Sequence, residues 1–214
     1  MAELTFAVTD VVPERFAAAP NLLARIQVQE TSGETVHALA LRAQIRIEPQ
    51  RRGYDDTEER ALLDLFGDRS RFAQTLRPLL WLHASTVAQG FTGSATIDLP
   101  LPCTYDFEVS GSRYLHALRD GEIPLLFLFS GTVFTRGTTG FSVTQVPWDR
   151  EARFRLPVAV WRDLMETHFP GTEWIRMRRD TVEALGHYRH VHGQTTWDDA
   201  VTTLLEQASI GERP

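Results

Sequence analysis

The sequence predicts an α+β fold: an antiparallel β-rich body, a sheet or a sandwich, followed by two or three C-terminal helices. Three observations carry this. Leu39, Leu41, Ala43, Ile45 and Ile47 alternate with Ala40, Arg42, Gln44, Arg46 and Glu48. A period of two over that length is a strand with one buried and one wet face. The run LLFLFSGTVF after Pro124 is apolar at successive positions at first, which suits a central strand covered on both sides. From Pro157 the apolar spacing becomes helical, with Val158, Trp161, Leu164 and Met165 on one face. The change divides the 214 residues into a body, 1–156, and a helical region, 157–214, packed on it as one compact domain.

The elements follow in order. Leu23–Glu30 alternates, with Ala24, Ile26 and Val28 on one side. It joins the Leu39–Ile47 strand through Thr31, Ser32, Gly33 and Glu34, a turn suited to a β-hairpin. The polar loop EPQRRGYDD leads into a short helix, TEERALLDLF, capped by Asp56 or Thr57 and closed by Gly67. Pro78 argues against a central strand at that point. Phe91, Gly93, Ala95, Ile97 and Leu99 alternate with polar residues as one further strand. Pro100 and Pro102 interrupt it, and Tyr105, Phe107 and Val109 resume it. Ser110–Leu118 is a short helix, with Gly121 as its left-handed terminator. RGTTG at 136–140 turns a second hairpin into Phe141, Val143 and Gln145.

In the helical region Pro157 suits the first turn of a helix that Pro170 and Gly171 stop. Asp180 caps TVEALGHYRHV, which ends at Gly193. Thr196 and Asp199 form a capping box for a last helix, with Trp197, Val201, Leu204 and Leu205 as its apolar stripe.

Composition excludes several chemistries. The formal net charge is -6, so there is no long-range attraction to nucleic acid or anionic lipid. All 22 basic residues are arginine, which removes Schiff-base, P-loop and general-base lysines. The single cysteine, Cys103, rules out an internal disulfide and cysteine-cluster metal sites. The opening residues lack the apolar stretch of a signal peptide, and no apolar run is long enough to span a bilayer. A cytoplasmic location is expected. No dinucleotide, P-loop, zincin, nucleophile-elbow or EF-hand motif is present, so no catalytic residue is assigned and no cofactor is required.

The candidate sites are few. His187, His190 and His192 cluster in GHYRHVHGQ and are the candidate ligands for a divalent ion, nickel or zinc. The plainer reading is solvent-facing histidines that suit a helix C-terminus. Cys103, with His83 or His116 as a partner in space, is a nucleophile candidate without a supporting motif. A small buried side chain is the plainer reading. Asp55, Asp56, Glu58 and Glu59 suit a helix N-terminus through its dipole. Trp148 and Trp174 are candidate anchors for a partner protein.

DLPLPCTYDFEV, GEIPLLFLFSGTVF, the step Val146, Pro147, Trp148 and the tail TWDDAVTTLL together resemble a family of uncharacterised bacterial proteins. That family spans nearly the whole chain and is encoded near uptake [NiFe]-hydrogenase genes. The resemblance implies a non-enzymatic accessory role with a hydrogenase subunit or maturation factor as partner, and it brings no catalytic residues. A looser similarity, in ELTF, the strands 23–30 and 36–48 and the step Gly121 to Pro124, is to SecB-type export chaperones, which implies a sheet with client-binding grooves.

Overall fold

Alternation becomes strand where the sequence carries it. The computed structural model describes residues 2–103, 110–137, 140–172, 175 and 177–211. In chain order they form β1 (Leu4–Pro13), β2 (Asn21–Glu30), β3 (Thr35–Ile47), short helices α1 (Asp56–Ala61), α2 (Leu63–Phe66) and α3 (Phe72–Thr75), then β4 (Leu79–Thr92) and β5 (Ser94–Pro102). There follow α4 (Ser110–Ala117), β6 (Glu122–Gly137), β7 (Gly140–Gln145), β8 (Glu151–Pro157), α5 (Val158–His168), α6 (Arg179–Val191) and α7 (Trp197–Gly211). The expected alternation at Tyr105, Phe107 and Val109 lies outside the described residues.

Two antiparallel sheets result, in the order β1-β2-β5 and β4-β3-β6-β7, with β8 also paired to β6. The fold is α+β, as the patterning predicts. β6 is the central strand. One edge pairs with β3, from Leu125 opposite Ile47 to Thr135 opposite Val36. The other edge serves two partners, β8 along Glu122–Leu128 and β7 along Thr132–Gly137. The expected β6–β7 hairpin is therefore formed. The inward faces share one core. Ala24, Ile26 and Val28 from β2 join Leu39, Leu41 and Ile45 from β3 and Phe127 and Phe129 from β6. Phe6 of β1 stacks on Phe129 with ring centroids 4.6 Å apart, a direct tie between the sheets. Each such buried side chain contributes about 1.5–3 kcal/mol.

The hairpin expected between Leu23–Glu30 and Leu39–Ile47 does not form: β2 pairs with β1 and β5, and β3 pairs with β4 and β6. Strict alternation along β2 carries Glu30 inward, where it is only 4% exposed. Its carboxylate accepts hydrogen bonds from the N–H of Glu3 (3.0 Å), Ser32 (3.0 Å) and Gly33 (2.8 Å) and from the Ser32 hydroxyl (2.5 Å). This knot ends β2 and sends the chain across to the other sheet. Burial alone would raise the Glu30 pKa, but the hydrogen bonds from Ser32, Glu3 and Gly33 outweigh it and hold the value at about 2.

The strand read as continuous over 91–99 is two. Gly93 takes φ 74°, and the chain passes there from β4 of one sheet to β5 of the other. The prolines do not interrupt β5. It is an edge strand, paired with β2 alone among the described strands, and an edge tolerates missing N–H groups. Short-range caps also shift. Asp55, not Asp56 or Thr57, caps α1, accepting from the N–H of Thr57 and Glu58 at 2.8 Å each. The expected helix breaks at Leu62 into α1 and α2. Pro157 ends β8 and sits at the N-cap of α5, and Arg178 rather than Asp180 occupies the N-cap of α6.

The chain divides into two compact units, Met1–Trp174 and Ile175–Pro214. α5 belongs to the first, burying Val158, Trp161, Leu164 and Met165 as its spacing predicts. The second holds α6 and α7. The capping box forms as expected, with the Thr196 N–H on Asp199 Oδ2 (3.3 Å) and the Asp199 N–H on Thr196 Oγ1 (3.1 Å).

Candidate binding surfaces

The three histidines do not converge. His187 and His190 lie one turn apart on α6. His192, at its C-cap, falls about 140° around the helix axis from His187 at 100° per residue. It stacks on Tyr188 with ring centroids 4.1 Å apart, and its Nδ1 lies 2.9 Å from the Tyr188 carbonyl. Among the described residues no three His, Cys, Asp or Glu side chains are placed to share a metal ion.

Cys103 follows the edge strand β5, packed against the core, with its Sγ donating to the Leu101 carbonyl at 3.3 Å. Burial pushes its thiol up to about 12, the reverse of an activated nucleophile. Its proposed partners are held elsewhere: the His83 ring meets the Gln44 amide at 3.2 Å, and His116 lies edge-on to Trp161. Trp148 is 92% exposed in the turn between β7 and β8. Trp174 lies outside the described residues.

The helix pair of the second unit presents a feature that alternation could not reveal. Gly186 of α6 faces the Trp197 ring, and a Cβ there would meet the indole at 3.4 Å, an ordinary contact. The Arg189 guanidinium covers the same ring at 4.2 Å from its centroid. Ala200 is fully buried, and Gln194 donates to the Thr203 hydroxyl at 2.7 Å. The rest of the α7 stripe stays in solvent: Val201, Leu204 and Leu205 are 40%, 36% and 65% exposed. A stripe at helical spacing normally marks a buried face. Here most of it stays open.

A second concave surface lies between α4 and α5, a cleft of about 450 Å³. Its floor includes Leu115, Leu118, Trp161 and Met165, and its rim carries Arg119, Arg162 and Glu166. Trp161 is fixed edge-on by Trp81 at 6.1 Å and by His116 at 5.7 Å. Burial alone lowers the His116 pKa to about 4, so the ring is neutral at pH 7.

Beneath the rim runs a buried polar network. Arg52 Nη2 donates to both carboxylate oxygens of Glu58 at 2.8 Å, with the two side chains 10% and 4% exposed. Glu58 also accepts the Arg119 N–H at 2.9 Å, and Arg52 Nη2 reaches the Asp120 carbonyl at 3.2 Å. Tyr54 lies under the Arg52 guanidinium and shares a 2.9 Å hydrogen bond with the Tyr114 hydroxyl. Burial pushes the Tyr54 pKa up to about 12 and raises that of Tyr114 further. Glu58 was legible only as one of several carboxylates at a helix start. Its partner Arg52 sits in a loop with no periodicity, so the sequence carries no signal for the pair.

These features define an antiparallel two-sheet α+β protein that carries a separate C-terminal helix pair. The chain belongs to the family of unknown function DUF6084, whose profile matches residues 1–213. Comparison with curated proteins finds no match. Among solved structures the chain is similar to a putative late embryogenesis abundant protein, at 14% identity over 73% of this chain and 72% of that one, with a TM-score of 0.35. It is also similar to a β-glucosidase from Kluyveromyces marxianus, at 8% identity and a TM-score of 0.25. That match covers 72% of this chain but only 15% of the glucosidase. No described helix is long and apolar enough to cross a membrane.

Proposed function

We propose that this protein is a non-enzymatic accessory factor that docks a partner protein through α7. One observation carries the reading: Val201, Leu204 and Leu205, at i, i+3 and i+4 on one face, stay open to solvent on a well-capped helix. Such a stripe fits a hydrophobic groove in the manner of helix-in-groove recognition. Trp148, almost fully exposed, is a second anchor. The partner class is a [NiFe]-hydrogenase subunit or maturation factor. Support for that choice comes from the sequence resemblance in the segments around Pro102, Pro124 and Trp148 and in the tail.

The test is affinity capture of the tagged full-length chain from its native host, compared with V201D/L205D. Enrichment of a hydrogenase component by the wild-type chain, lost in the variant, is expected. Substitution at exposed positions costs within about 0.5 kcal/mol each, so the melting temperature should barely move. A marked loss of stability in the variant would mean that the stripe serves the chain's own packing, and the docking reading would fail. Absence of any hydrogenase component above a matched control removes the partner assignment.

A further inference from the structure

A strand at the edge of a sheet offers an open row of N–H and C=O groups unless something blunts it. Most edges of the two sheets are blunted. β1 shifts register between Val8 and Asp10 and ends at Pro13. β5 carries Asp98, Pro100 and Pro102. At the far edge of the larger sheet, β7 is 6 residues long and β8 carries Glu151, Arg153 and Arg155. β4 is the exception. It is 14 residues long and pairs with β3 alone among the described strands. It lies within residues 78–97, the longest stretch of the sequence without Asp, Glu or Arg, and the strand itself holds no proline.

Only the start of β4 is covered. A Cβ on Gly111 of α4 would lie 3.3 Å from Trp81 Cδ1 and 3.6 Å from the Leu80 carbonyl oxygen, and the ladder with β3 shifts register beside it, between Ile45 and Arg46. From His83 to Gln89 the pairing is regular. Ala84 and Ala88 face the core, while His83, Ser85, Val87 and Gln89 are exposed, Val87 by 72%. Backbone groups of this span that point away from β3 bond to no other described residue.

The chemistry of this edge selects its occupant. It offers backbone hydrogen bonds and small side chains, and no charge that would recruit a charged partner. At a net charge of -6 two copies of the chain repel each other, and they do so least where the surface is uncharged. An antiparallel strand is also its own complement about a twofold axis. Pairing of His83–Gln89 about Thr86 sets Ser85 opposite Val87 of the partner subunit and brings no like charges together. We propose that β4 pairs antiparallel with β4 of a second copy and joins the two five-stranded sheets edge to edge. Each copy has one such edge, so the assembly closes at two instead of growing into a filament.

Sedimentation equilibrium of the full chain tests this at concentrations up to about 100 μM, which covers micromolar association. The wild-type chain is expected to be dimeric at the top of that range. S85K/V87K and S85E/V87E each set like charges across the axis, and each is expected to weaken dimerisation at least tenfold. An equimolar mixture of the two variants is expected to restore it, since opposite charges then face each other. Both positions are exposed, so circular dichroism and melting temperature should match the wild type. Hydrogen exchange gives a second readout: amides within 83–89 should be protected in concentrated wild-type protein and lose that protection on dilution. A monomer throughout the range, a dimer indifferent to both charged variants, or variants that mixing does not rescue would overturn the proposal. V201D/L205D is expected to dimerise normally, which keeps this test apart from that of α7; loss of the dimer there would move the contact to α7 and equally overturn it.

Discussion

Replacing Glu58 by alanine probes the most heavily buried charge pair described here. The substitution removes both oxygens that Arg52 Nη2 contacts at 2.8 Å and leaves a cation whose side chain is 10% exposed. It also strips the Arg119 N–H of its acceptor. Breaking a buried pair from one side costs about 3–5 kcal/mol. Arg52 Nη1 already lacks a partner, so the native pair is imperfect and the lower end, about 3 kcal/mol, is expected. For a unit of this size 1 kcal/mol shifts the melting temperature by about 2–4 °C, which gives a loss near 10 °C. Removing both charges in R52M/E58M should recover most of this, because no buried ion is left unpaired. A residual cost of about 1–2 kcal/mol should remain from the Arg119 N–H. Urea denaturation followed by circular dichroism measures all three variants. A cost below 1 kcal/mol for E58A, or a double variant as unstable as the sum of the single ones, would refute the reasoning.

Three further outcomes are expected. G131A should destabilise strongly, by about 3 kcal/mol or more in the same denaturation assay, because Gly131 has φ 152° and an added Cβ would lie 2.2 Å from the Ala40 carbonyl oxygen across the β3–β6 ladder. G186A should instead stabilise α6 by up to about 1 kcal/mol, since its Cβ would meet only the edge of Trp197 at 3.4 Å while the helix gains propensity; helicity and melting temperature measure it. Cys103 should resist a thiol reagent at pH 8 until the protein unfolds. Its folded pKa of about 12 exceeds the unfolded value, so the unfolded chain loses the proton first and stability falls as pH rises from about 9 towards 12, by at most about 1.4 kcal/mol per pH unit. That alkaline decline should shrink in C103A.

Much of the architecture was legible in the order of residues. Period-two runs marked β2, β3 and the interior of β5, and the doubly apolar run marked β6 as central, because alternation and its loss report directly how many faces a strand buries. The capping box of α7 was legible because Thr196 and Asp199 satisfy each other locally. The buried face of α5 was legible from its spacing alone. Local signals could not say which strands pair. The turn at Thr31–Glu34 has hairpin chemistry, yet it joins two sheets, because an inward Glu30 must collect four hydrogen bonds where β2 ends. Gly93 breaks an unbroken alternation for the same kind of reason, a positive φ that redirects the chain between sheets.

The surfaces divide along the same line. Composition, the absence of lysine and the single cysteine bounded the chemistry from sequence alone, since no arrangement in space can supply residues the chain lacks. Periodicity also found the α7 stripe, but it measures only which side chains share a face. That Ala200 is covered while Leu205 stays in solvent depends on which helix lies against which side, and this came from packing. The cleft between α4 and α5 joins residues dozens of positions apart, and the Arg52–Glu58 pair beneath it is completed by the Arg119 N–H from 61 positions further along, so their chemistry exists only once the chain has folded.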